Sequence, residues 1–296
     1  MTGIEATIGS RPREVGGQTV SRVLPAASHR AVGPFVFLDH LGPVTLPPHH
    51  GIDVGPHPHI GLATVTYLFE GALVHRDSLG SVATIRPGDI DWMSAGRGIV
   101  HSERSPDAER ASGSTMHGLQ IWVALPEEDE DSDPTFEQHR AAALPWVDVK
   151  GVSVRVLVGS AYGATSPVTA RWPMFYVDVE LQPGQTVPIP AEHSARAVYV
   201  VSGEVSVEGQ VMGARTMAIT TREARNVVAT TASRIVMLGG MPFPQPRLLD
   251  WNFVSSTRER IDRARDDWRA MRFPRIPTDD GPLVPLPAYP VKHESG

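Results

Sequence analysis

The segment Gly51-Ile52-Asp53-Val54-Gly55-Pro56-His57-Pro58-His59 ends on two histidines separated by one residue. A second segment, Ser94-Ala95-Gly96-Arg97-Gly98-Ile99-Val100-His101-Ser102-Glu103, repeats that spacing with a histidine and a carboxylate. On an extended strand, side chains two apart point to the same face. Both pairs can therefore aim inward from neighbouring strands and converge on one ion. Three imidazoles and one carboxylate make a mixed nitrogen and oxygen donor set suited to a first-row divalent metal. His57, His59, His101 and Glu103 are the candidate ligands.

The surrounding sequence supplies the strands. Glycine and proline number 27 each and are scattered, punctuating many short β-rich runs. Residues 63–69, 119–125, 152–158, 175–181 and 197–201 are examples, and several of them alternate apolar with polar residues. Many short strands separated by turns indicate an all-β sandwich or barrel, and the length suits two barrels better than one. A weak internal repeat supports the division. Tyr67-Leu68-Phe69-Glu70-Gly71 resembles Tyr199-Val200-Val201-Ser202-Gly203, each ending a strand at a glycine turn. In that alignment His57 and His59 fall opposite Ile189 and Ala191, and no histidine lies between His193 and His293. The expectation is a metal-binding barrel in residues 1–130 and a metal-free one in 131–296.

The C-terminal part changes character. Ser256-Thr257-Arg258-Glu259 reads as a capping box, and Ile261, Ala264 and Trp268 recur at helical spacing. An amphipathic helix is expected at about 257–271, covering a barrel with its Ile261/Trp268 face. Phe273-Pro274 ends it, and the Pro-rich stretch 274–290 is expected to lie extended over the surface.

Composition narrows the function classes. The 296 residues are 41% hydrophobic and 20% charged, which is ordinary for a globular protein. The net charge of −6, without any basic run, gives no support to direct nucleic-acid binding. The acidic run Glu127-Glu128-Asp129-Glu130-Asp131, with Asp133, reads as a solvated linker between the halves. The absence of cysteine excludes thiolate metal sites, iron–sulfur clusters and cysteine nucleophiles. No secretory signal and no membrane-length apolar run are visible, so a cytoplasmic protein with no membrane association is the simplest inference. Gly96-Arg97-Gly98 has no accompanying phosphate-binding fingerprint, and no Gly-x-Ser-x-Gly occurs.

His57-Pro58-His59 with the turn Pro87-Gly88-Asp89 resembles the two-part cupin signature. The stretches Phe37-Leu38-Asp39-His40-Leu41-Gly42-Pro43, 92–103, Met116-His117-Gly118-Leu119-Gln120-Ile121-Trp122 and Trp251-Asn252-Phe253-Val254-Ser255-Ser256 bring the likeness closer. From about residue 16 to 290 the chain is similar to the pirin family of bicupins. That resemblance implies two stacked cupin-type β-barrels with iron, most simply Fe2+, or another divalent metal (Ni, Mn, Cu, Co or Zn) in the N-terminal one. The family's ligands fall on His57, His59, His101 and Glu103. Many members carry a glutamate shortly after the His-x-His where this sequence has Ala63, a departure that bears on the polarity of the pocket.

The resemblance implies two functions. One is quercetin 2,3-dioxygenase activity on a flavonol-like substrate, with Glu103 as the catalytic base. The other is a non-catalytic, metal-dependent regulator that binds a partner protein, either a transcription factor or a metabolic enzyme. Metal-bound imidazoles must be neutral, with the second ring nitrogen donating to a fixed acceptor, and Asp89, Asp91 and backbone carbonyls are the candidates. Four side-chain ligands on an octahedral ion leave adjacent positions open, as oxygen activation requires. Of the other histidines, His40 and His117 are expected to hydrogen-bond within the fold, and His49 and His50 to lie in a solvated turn. His75, His139, His193 and His293 have no convergent neighbours in sequence.

Overall fold

Alternation of apolar and polar residues gives strands with one face turned to a core. In the computed structural model, which describes residues 3–288, those strands form two barrels, each a long sheet faced by a four-stranded one. The first long sheet runs Thr135–His139, Ile90–Ser94, Leu62–Glu70, Ser114–Ala124, Phe35–Leu46, Gln18–Leu24, Arg11–Val15. Its facing sheet runs Asp53–His59, Ile99–Arg104, Leu73–Asp77, Val82–Ile85. The chain is thus a two-barrel, all-β cupin protein. His293 and the end of the 274–290 stretch lie outside the described residues.

The second barrel repeats the plan. Its long sheet is built on Thr216–Thr220, Ala195–Ser202, Ser233–Gly240, Met174–Leu181 and Val152–Ala161. Two strands cross the division expected at residue 130: Ile4–Gly9 pairs with Thr216–Thr220 of the second barrel, and Thr135–His139 with Ile90–Ser94 of the first. The long sheets also share one buried cluster, with Tyr67, Leu119 and Ile121 from one side and Tyr176, Tyr199 and Leu238 from the other. At about 1.5–3 kcal/mol for each large apolar side chain fully buried, that seam holds the barrels together. The interiors differ. Val154, Val177, Val198, Val205, Val227 and Ile235 join one cluster that fills the second barrel, whereas the apolar residues of the first fall into separate clusters, one around Leu46, Leu68 and Met116 and another around Phe37, Leu62 and Trp122.

Strands Leu62–Glu70 and Ala195–Ser202 hold matching places, each hydrogen-bonded between two neighbours of its long sheet, which supports the internal repeat. The glycines that follow them, Gly71 and Gly203, have φ of 84° and 77°. A Cβ on Gly71 would sit 2.4 Å from the Thr115 carbonyl oxygen, and one on Gly203 2.3 Å from that of Ala232. Left-handed backbone and backbone crowding together exclude a side chain at either turn. Gly71→Ala is expected to lower stability by about 2–3 kcal/mol, read as a shift in urea midpoint. An unchanged midpoint would mean that the turn relaxes without cost.

The C-terminal helix spans Arg258–Arg269 and buries Ile261, Ala264 and Trp268, as their spacing requires. Its cap differs from expectation: Thr257, not Ser256, accepts a hydrogen bond from the Arg260 backbone N–H. Ser256 instead donates its backbone N–H and its hydroxyl to the Glu130 carboxylate, which holds it outside the helix. The helix packs on Ile60 and Val100, the chain neighbours of His59 and His101, and so braces the outside of the two strands that carry the candidate ligands.

The acidic run is not a solvated linker throughout. Glu130 is 3% exposed, 3.1 Å from Arg247 and hydrogen-bonded by Ser255, because a buried carboxylate needs fixed partners. Beyond the helix the chain lies extended over the first barrel. Asp279 accepts from Ser102 and Arg104, and the Val284 N–H donates to the Pro56 carbonyl at 2.9 Å. Among the described residues, no helix is long and apolar enough to cross a membrane.

Candidate metal centre

Strands Asp53–His59 and Ile99–Arg104 pair antiparallel, with His101 opposite His57 and Ile99 opposite His59. The pleat sends Val100 to the helix side and His101 inward. His57, His59 and His101 each bring one ring nitrogen into a set whose members all lie within 4.8 Å of one another. Their exposures are 7%, 0% and 1%. Glu103 is also buried and lines the same cavity, but it stands outside that compact set among the described residues. The pairing register shifts between His101 and Glu103, so Glu103 faces Val54 across the ladder.

Two of the rings have their protons assigned by their partners. His57 Nδ1 is 2.9 Å from the Gly55 carbonyl oxygen, and His59 Nδ1 is 2.9 Å from that of Asn252. A carbonyl only accepts, so in both rings Nδ1 carries the proton and Nε2 is left with a lone pair for the cavity. Asp89 and Asp91 do not serve in this role. Asp89 binds Arg140 and the Ala141 N–H, and Asp91 accepts from Gln138.

Burial also sets the charge. Desolvation lowers His57 to about 4 and takes His59 and His101 well below the usual histidine value, so all three are neutral at pH 7. Burial, with the Asp91 charge added, pushes the Glu103 carboxyl up to about 7. A nearby divalent cation would offset the cost of ionising it. The donor set therefore fits a first-row metal ion. His59 Nε2 and His101 Nε2 are 3.1 Å apart, and two nitrogens each ~2.1 Å from one ion at a right angle stand about 3.0 Å apart.

The three rings open into a cavity of about 440 Å³. One wall is a run of stacked π systems: Trp122 meets His59 edge-on at 5.0 Å, and Phe37 stacks on Trp122 at 3.9 Å. The Arg22 guanidinium lies 4.4 Å over Phe37 and is held there by paired hydrogen bonds to Asp39. Gln120 reaches the same space, its side-chain oxygen accepting from Thr66. Ala63 does not line this space: it packs into the seam between the barrels, so the substitution noted at that position leaves the cavity wall unchanged.

His75 and Asp77 were missed in the sequence. His75 Nδ1 is 3.4 Å from His101 Nδ1, and His75 Nε2 is 3.0 Å from the Asp77 carboxylate. The signal was the same spacing of two, His75-Arg76-Asp77, on a strand that pairs with Ile99–Arg104. His40 and His117 bond to each other at 2.8 Å and His40 to Tyr199 at 2.7 Å, within the fold as expected. His49 and His50 are exposed, and His139 binds Glu137.

Comparisons with known proteins agree with this architecture. The family models described as Pirin and as Pirin C-terminal cupin domain match residues 17–123 and 176–274. A pirin-like protein of Caulobacter vibrioides is 46% identical over 288 residues, which is 96% of this chain and 99% of that one. A crystal structure of a quercetin 2,3-dioxygenase from Acinetobacter baumannii superposes with a TM-score of 0.88 at 36% identity, covering 97% of this chain and 96% of that one. The Escherichia coli pirin YhhW, solved with nickel(II), gives a TM-score of 0.62 at 22% identity over 80% of this chain and 99% of its own, a likeness of fold alone.

Proposed function

Because the chain belongs to the pirin family, we propose that it is a metal-dependent dioxygenase cleaving quercetin or a similar flavonol with dioxygen. The observation that carries this reading is the convergence of three neutral, buried imidazoles at the floor of a cavity walled by stacked aromatic rings. His57, His59, His101 and Glu103 are the residues that would hold the ion, with iron(II) the first choice. When bound, such an ion supplies Lewis acidity to a chelating oxygen pair and a redox partner for dioxygen.

The chain's own residues account for the rest. Phe37 and Trp122, stacked on each other, give the cavity an apolar aromatic wall against which a fused aromatic ring system can pack. Glu103, the buried carboxylate that lines the cavity beside the imidazoles, is the group placed to take the proton of a substrate hydroxyl. Arg22, Asp39 and Gln120 give the cavity polar groups away from the imidazoles that can meet the substrate's remaining hydroxyls.

The test is elemental analysis of the purified protein, then oxygen uptake with quercetin consumption after iron(II) reconstitution. About one metal per chain with metal-dependent turnover is the expected result. Stoichiometric metal without oxygen uptake would transfer the assignment to the partner-binding regulator. No metal in the purified or the reconstituted chain would overturn both.

A further inference from the structure

His57 and His59 have their protons fixed by backbone carbonyls, which no substitution at another residue can remove directly. His101 is different. Its Nδ1 faces the Nδ1 of another histidine, which can donate or accept, while its Nε2 faces the bare Nε2 of His59 at 3.1 Å, so in the metal-free chain His75 must hold the His101 proton on Nδ1 against that second acceptor. His75 in turn is tied through Nε2 to Oδ2 of Asp77, a residue 0% exposed, and its ring is held in plane by stacking on Phe136 at 4.3 Å. The other oxygen, Asp77 Oδ1, is already committed: it accepts the backbone N–H groups of Leu79 at 2.9 Å and Ser81 at 3.0 Å.

We infer that Asp77 and His75 form a relay that sets the tautomer of His101 and so decides whether its cavity-facing nitrogen can bind a metal. The inference rests on the metal reading of the His57/His59/His101 site. The carboxylate only accepts, so His75 donates Nε2–H to it, and with that ring neutral a lone pair is left on Nδ1. That lone pair accepts from His101 Nδ1–H, which leaves His101 Nε2 bare toward the cavity. Asp77 and His75 are positioning residues: neither reaches substrate or ion, and each acts through the next ring.

The relay predicts an unusual result for an isosteric change. In Asp77→Asn the amide oxygen must stay on the Oδ1 side to serve the Leu79 and Ser81 N–H groups. The amide nitrogen then faces His75 Nε2 and donates to it. His75 moves its proton to Nδ1, His101 accepts there, and the His101 proton is left on Nε2, where it blocks the metal. Shape and volume are unchanged, yet every proton in the chain of hydrogen bonds is inverted.

Two measurements on the full-length protein test this. The first is zinc(II) affinity by chelator competition, where Asp77→Asn should bind roughly 10–100-fold more weakly than wild type. The second is the ring ¹⁵N spectrum of the metal-free protein. Wild type should show His101 protonated on Nδ1 and bare on Nε2, and Asp77→Asn the reverse. A folded Asp77→Asn with unchanged affinity and the wild-type His101 tautomer would overturn the relay. If that variant fails to fold, the wild-type spectrum still decides: His101 carrying its proton on Nε2 overturns it. A wild-type chain that binds no zinc(II) while showing the expected tautomers would remove the metal reading and leave the relay standing.

Discussion

With His57 and His59 both replaced by alanine, the chain is expected to lose the stoichiometric metal binding proposed for it. Binding of a structural zinc ion is worth about 10–16 kcal/mol, or about 3 kcal/mol for each of four ligands, so removing two corresponds to a loss of roughly 10⁴-fold in affinity. The fold should survive. The seam between the barrels, the valine-filled second barrel and the face under the C-terminal helix make no use of either ring. Unchanged far-ultraviolet circular dichroism, with no metal retained after desalting, is the expected pair of results. The rise in melting temperature that metal gives the wild-type chain should vanish as well, since a ligand stabilises only through the state it binds. Full metal content in the double variant would sink the site.

Glu103→Gln should make the metal-free protein more stable at alkaline pH while weakening its hold on metal. The Glu103 carboxyl is pushed from 4.5 to about 7 by burial first and by the Asp91 charge second. Between those values the folded chain keeps a proton that the unfolded chain has released. Stability is therefore lost as pH rises through that window, and the full cost of about 3 kcal/mol is present above pH 7. Glutamine never ionises and escapes the cost. Urea midpoints taken with chelator present should favour the variant by about 3 kcal/mol at pH 8 and show no difference near pH 4. The buried histidines run the other way: with His57 lowered to about 4, stability falls as pH drops from about 6.5 toward 4. That loss is common to both proteins and cancels in the comparison. A difference that does not change with pH would show that Glu103 is not ionising in a buried site.

Much of this architecture could be read from residue order. The spacing of two in His57-Pro58-His59 put both rings on one face, as the pleat requires, whereas a register shift after His101 leaves Glu103 outside the three-imidazole set, and Ile261, Ala264 and Trp268 located the helix by their period. What escaped were contacts made over long stretches of chain. Glu130 looks like part of a solvated acidic run until Arg247 and Ser255 are folded against it. Asn252 serves His59 through a backbone carbonyl, a group every residue possesses and no sequence marks. Ala63 was referred to the cavity by family likeness, but its strand position turns it toward the seam between the barrels. His75-Arg76-Asp77 carries a readable spacing, but its neighbour His101 lies 26 positions on and is brought to it only by strand pairing.

The carbonyl that orients His59 comes from a residue 193 positions later in the chain. At ribosomal rates of about 5–20 residues per second, that separation amounts to about 10–40 s of synthesis. The strap through Asp279 and Val284 arrives later still. For the later part of that interval, once Glu103 has been made, the chain carries all four candidate ligands, but the His59 ring still lacks the carbonyl that fixes which nitrogen turns inward. The ring orientation of His59 is therefore a property of the finished polypeptide. A chain halted before residue 252 can display the same histidines and still lack the partner that commits His59 to its binding tautomer.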